Sequence, residues 1–143
     1  MSCQAAIAKF PYYLDFYFTK GSFYSGKWHG SQKEFKAFVD ETVKATEPRL
    51  GQSMSARLNW SAWDGAMFVN GQTDWSRMKK GFEKMTSDFP DNWNRNNFAK
   101  FACMAGDKSA LREQLNLIGN KVAIDAWRDI SFYQHCSQIA ARK

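Results

Sequence analysis

Cys103, Cys136 and His29 are the side chains with the most obvious reactive chemistry in this chain, and their surroundings decide what they can do. Cys103 lies in residues 92–107, NWNRNNFAKFACMAGD, where an asparagine-rich run changes abruptly into a small, apolar one. A thiol becomes a nucleophile when a neighbouring cation, base or metal lowers its pKa. Around Cys103 stand Phe101, Ala102 and Met104 instead, so it reads as a packing residue. Cys136 directly follows His135, but adjacent helical side chains point about 100° apart and make a poor metal pair. HxxxH, HExxH and CxxC are all absent, so no metal ligand set is assigned.

His29 belongs to residues 26–31, GKWHGS, a glycine-flanked loop ahead of a helix start. Such a place offers backbone N–H groups to an anion, but the loop has neither Walker A nor GxGxxG spacing. The favoured reading packs Trp28 on the following helix and leaves His29 exposed. No paired carboxylates stand out for acid–base work, and GxSxG and SxxK do not occur. No catalytic and no cofactor-binding residue is therefore assigned. Trp75, Arg77, Lys79, Lys80, Lys84, Trp93 and Arg95 form a basic and aromatic group that would suit a nucleic-acid backbone. Glu83 and Asp88 dilute it.

The elements that must position these residues are helical. Ser31 with Glu34 has the capping-box form, and Phe35, Phe38, Val39, Thr42 and Val43 follow at helical spacing. From Arg49 to about Gly65, Leu50, Met54 and Leu58 form one stripe, and Trp60, Trp63 and Met67 a second. Thr73 or Asp74 caps a third helix with Trp75, Met78, Phe82, Met85 and Phe89 as its buried seam. Pro90 stops it, and Asp91 or Asn92 caps a helix that buries Phe98, Phe101, Ala102 and Ala105 and ends at Gly106. Asp107 opens a helix with Leu111, Leu115 and Ile118 inward. Asp125 opens the last, with Tyr133 and Ser137 on one line and Phe132, Cys136 and Ile139 on another. Residues 11–19, PYYLDFYFT, read as a helix because no second strand is present to pair with them.

These elements predict an all-α fold of about six to seven helices in antiparallel hairpins, repeat-like or as a compact bundle. The 143 residues suit a single domain over 1–143, an aromatic-rich segment at 1–30 preceding helical hairpins at 31–143. Twelve Phe and six Trp favour bulky helix contacts or a surface that grips a partner. No apolar run approaches the roughly 20 residues needed to span a bilayer, and the N-terminus lacks the form of a secretory signal. Three scattered cysteines favour reduced thiols and a cytoplasmic setting. Net charge is +6, with 12 basic and 8 acidic residues from position 73 onward against 8 and 6 before it. That is a spread excess, suited to a solvated face that steers an acidic partner.

Residues 74–111 resemble a pattern of uncharacterised bacterial proteins with tetratricopeptide-like or Sel1-like helical repeats. The matching positions are Trp75, Gly81, Phe82, Phe89, Pro90, Trp93, Asn94, Phe98, Ala99, Phe101, Ala102, Cys103, Gly106 and Asp107. KWHGS at 27–31 and ARLNW at 56–60 resemble the same group more loosely, so the likeness covers about residues 12–107. It implies helical hairpins of bacterial source with no catalytic residues to carry over. The expected function is a non-enzymatic protein-binding module, such as an adaptor or a toxin-neutralising, immunity-type protein. Its candidate surface comprises Trp28, His29, Trp60, Arg77, Lys80, Lys84, Trp93 and Arg95. One alternative is an enzyme or small-ligand binder with an aromatic pocket around Trp28, His29 and Trp60. Another is nucleic-acid binding through residues 77–95.

Overall fold

Short polar side chains start the helices by taking up backbone N–H groups that the first turn leaves unpaired. The structure, a computed structural model, describes residues 2–9, 12–24, 31–62, 68 and 73–143. Regular structure among them is wholly helical: α1 (Cys3–Lys9), α2 (Leu14–Tyr24), α3 (Gln32–Ala45), α4 (Ser53–Ser61), α5 (Trp75–Asp88), α6 (Asn92–Ala105), α7 (Lys108–Ile118), α8 (Ile124–Trp127) and α9 (Ile130–Ala141). The caps fall where the sequence places them. Ser31 accepts from the Glu34 N–H, Asp74 from Arg77, Asp91 from Asn94 and Asp107 from Ala110. Gly106 leaves α6 in the left-handed conformation at φ 77°, which glycine adopts without steric cost.

The chain divides into two compact units, residues 1–81 and 82–143. In the first, Tyr17, Phe38, Val39, Val43, Met54 and Leu58 form the core, and Ile7, Leu14, Phe18 and Leu50 pack against it. The helix expected from Arg49 is shorter at its start. Thr46 O accepts from the N–H groups of Arg49, Leu50 and Gly51, and this turn holds the chain until Ser53. Trp63 and Met67 lie outside the described residues. Gly81 of α5 sits where α4 comes close: a Cβ there would stand 2.6 Å from Gln52 O and 2.8 Å from Ala56 Cβ.

In the second unit Phe82, Met85, Phe98, Phe101, Leu111, Ile118, Trp127 and Cys136 are buried. The Phe82 and Phe98 rings stack with centroids 5.1 Å apart. Three positions expected to be buried come out differently. Phe89 is 51% exposed because α5 has already ended at Asp88, and Ala105 and Leu115 are only half-buried. The last helix is also broken in two. Arg128 takes φ 65° after α8, and Asp129 rather than Asp125 caps α9 by accepting from the Ser131 N–H. Finally, Cys103 and Cys136 are joined in a disulfide between α6 and α9, which corrects the reading of reduced thiols.

Two outcomes check this packing. Gly81→Ala destabilises the protein by about 1–3 kcal/mol in chemical denaturation, since a backbone carbonyl must shift to admit the methyl group. The disulfide spans 33 residues, so Cys136→Ala lowers stability by about 3–4 kcal/mol on loop-closure entropy. A non-reduced tryptic digest yields one peptide pair joining Cys103 to Cys136, and reduction under denaturant raises the thiol titre by two per chain.

Candidate functional site

Of the eight surface residues drawn from the sequence, Trp28 and His29 lie outside the described residues. Trp60, Arg77 and Lys80 belong to the first unit, and Lys84, Trp93 and Arg95 to the second. Trp60 is half-buried and lines an open cleft of about 210 Å³ with Phe18, Arg57 and Ser61. Arg77 pairs with Asp40 and borders a different cleft, of about 110 Å³, with Lys36, Asn59 and Asp74. Lys80 is exposed, and Lys84 spends its ammonium on Asp88 at 3.0 Å. Two cations of the proposed basic stripe are thus already engaged with carboxylates.

Trp93 is 47% exposed in the first turn of α6, across the Pro90–Asp91 turn from Phe89. The turn is firmly staked. Asn94 donates through Nδ2 to Phe89 O (3.2 Å) and Asp91 Oδ2 (3.0 Å), while its backbone N–H reaches Asp91 Oδ1 at 2.8 Å. Asn97 Nδ2 donates to Trp93 O at 2.9 Å. Two large aromatic side chains are therefore held out on a backbone with little freedom to move. Arg95, one residue from the buried Asn94 and Asn96, is half-buried.

A second surface runs between α7 and α9, an open groove of about 370 Å³. Leu115 and Asn116 of α7 face Tyr133, Ser137 and Ala140 of α9 across it. Arg112 closes one end, donating through Nε to Ala140 O at 2.5 Å and through a terminal nitrogen to Arg142 O. Those acceptors are carbonyls at the C-terminal end of α9, where the helix dipole is negative. Lys108, one turn earlier on α7, has its pKa lowered, first by desolvation and then by the Arg112 and Arg142 charges. Sequence reading had turned Leu115 inward. It is half-buried on the same side as Arg112, bordering the groove.

The second unit also contains a polar layer that the sequence did not reveal. Asn96 has no accessible surface. Its Oδ1 accepts from Ala123 N–H (3.1 Å) and Trp127 Nε1 (2.9 Å), and its Nδ2 donates to Asn92 O (2.8 Å) and Lys121 O (3.3 Å). Lys100 is 3% exposed and donates to Ala126 O at 2.9 Å. Its pKa is lowered to about 8, mainly by desolvation and further by the Arg128 charge. Among the described residues no three His, Cys, Asp or Glu side chains gather in a set that could hold a metal ion. No described helix is long and apolar enough to cross a membrane.

Comparison with protein-family models, curated proteins and solved structures finds no match to this chain.

The Lys100 environment predicts a pH dependence. The unfolded chain holds this proton more tightly than the folded one, so the penalty for burying the charge is full below about pH 8. It is relieved as the pH rises through the folded pKa toward 10.5, the ordinary value, and stability increases across that window. In urea titrations at about pH 7 and about pH 10, this component of the increase is absent from Lys100→Met.

Proposed function

We propose that the chain is a non-enzymatic protein-binding module, an adaptor or immunity-type protein that works by complementarity of helical surfaces. The observation that carries this reading is the pairing of exposure with rigidity at the α5–α6 corner. Phe89 and Trp93 remain about half exposed, while four hydrogen bonds from Asn94 and Asn97 fix the backbone that bears them. Large aromatics that lose little conformational freedom on docking are the side chains that dominate protein interfaces. A net charge of +6 favours an acidic partner.

The small-ligand alternative draws its support from the 210 Å³ cleft beside Trp60, which falls below the usual range for ligand sites. The nucleic-acid alternative is weakened by the pairing of Arg77 with Asp40 and Lys84 with Asp88. The Cys103–Cys136 disulfide favours an oxidising compartment over the cytoplasmic setting read from the cysteine spacing.

Immobilised protein retains a stoichiometric protein partner from an extract of its native host, identified by mass spectrometry. Trp93→Ala and Phe89→Ala each weaken that capture tenfold or more while leaving the melting temperature unchanged. A partner retained equally by both variants would remove the corner from the interface, and retention of no protein would sink the reading.

A further inference from the structure

The α7–α9 groove is unusual for what surrounds it. Most of the faces of α9 stay within reach of solvent: it contains Ile130, Phe132, Tyr133, Ile139, Ala140 and Ala141, yet only Cys136 is buried. The residues it turns to the groove include Ser137 and Ala140, whose small side chains leave room for another helix to approach closely. Leu115 across the groove and Tyr133 on α9 itself supply apolar contact. The basic end is distinctive as well. Lys108, Arg112 and Arg142 gather where α7 begins and α9 ends, and among the described residues no carboxylate lies within ion-pair distance of any of them. The C-terminal end of α9 carries the equivalent of about half a negative charge, so three cations leave a clear positive excess.

Arg112 is moreover pre-positioned. Two of the five N–H donors of a guanidinium are committed to the α9 carbonyls, and the side chain is thereby held at the groove mouth. A carboxylate arriving there meets an ordered arginine, so less side-chain entropy is lost on pairing.

We infer that this groove docks an acidic amphipathic helix from a partner protein, its apolar side chains against Leu115 and Tyr133 and its carboxylates at Lys108 and Arg112. The inference shares the protein-binding reading but concerns a different surface from the Phe89–Trp93 corner. Helix-in-groove recognition places anchors at positions i, i+3, i+4 and i+7, and the three turns of α7 are about 16 Å long, enough to receive them.

The test pans a displayed library of helix-forming peptides of about 16 residues against the full chain. Enriched sequences carry Asp or Glu three or four residues from apolar pairs. A labelled enriched peptide then binds tenfold or more weakly to Ala140→Phe, which fills the groove, and to Lys108→Glu, which reverses one charge. Both variants keep the parent melting temperature, and should Ala140→Phe fail to fold, the surface substitution Lys108→Glu decides alone. Binding to the parent weakens with added salt, and Trp93→Ala binds the peptide as the parent does, which separates this surface from the corner. Enrichment of peptides without acidic residues, or undiminished binding to Lys108→Glu, overturns the inference. So does self-association that Ala140→Phe abolishes, which assigns the groove to a second copy. Heparin retention lost in Lys108→Glu with no peptide enriched assigns the cations to a polyanion and overturns it equally.

Discussion

A fully enclosed carboxamide organises the second unit. With no water to reach it, Asn96 must satisfy both ends of its amide within the protein, and it does so against the segment that follows α7. Its oxygen meets two obligate donors, the Ala123 N–H and the indole N–H of Trp127, so the orientation of the amide is fixed. That places Trp127, whose ring lies edge-on to Phe132 and Tyr133 of α9. Lys100, one turn along α6, takes the carbonyl of Ala126 beside it. The course of the chain into α9 is therefore dictated by polar bonds from α6, and the apolar contacts follow. Losing one partner in such a layer costs about 1–3 kcal/mol for each group left unsatisfied, more than the bond itself contributes.

The disulfide holds α9 directly. Cys136 is the single buried residue of α9, and its bond to Cys103 ties that helix to α6 where apolar burial is slight. A helix of this length is marginal in isolation and ordinarily depends on burying a stripe. Here covalent and hydrogen-bonded anchors stand in for part of that burial. Because α9 is held by Trp127 and Cys136, Tyr133 and Ala140 are left to border a groove rather than fill a core.

The helical fold was legible because its signals are local. Caps at Ser31, Asp74, Asp91 and Asp107 act within three residues, and Pro90 and Gly106 end helices through their own backbone constraints. The missed features depend on contacts far along the chain. Asn96 meets Trp127 across 31 residues and Lys100 meets Ala126 across 26, and periodicity carries no record of either. Asn94 serves the helix entrance through Asp91, a local contact, whereas Asn96 and Asn97 are enclosed in α6. Cys103 and Cys136 stand 33 residues apart without a motif, so a burial argument was all the sequence allowed. Of the candidate surface, exposed aromatics such as Trp93 were legible in type, while the groove needed α9 to be placed first.

The same accounting bears on what kind of work the second unit can do. A lysine with a pKa near 8 is half neutral at mildly alkaline pH and in an open cleft would be a nucleophile worth pursuing. Lys100, however, is 3% exposed, with its ammonium on a backbone carbonyl 2.9 Å away. Desolvation lowers its pKa and also keeps substrate from reaching it, so the shift follows from structural burial. Arg112, which solvent does reach, lines the α7–α9 groove with Lys108 one turn before it on α7, and among the described residues neither is in an ion pair with a carboxylate. Arg112 is thus held in place by the α9 carbonyls with its charge uncompensated by a described carboxylate, whereas the Lys100 charge is enclosed in the fold.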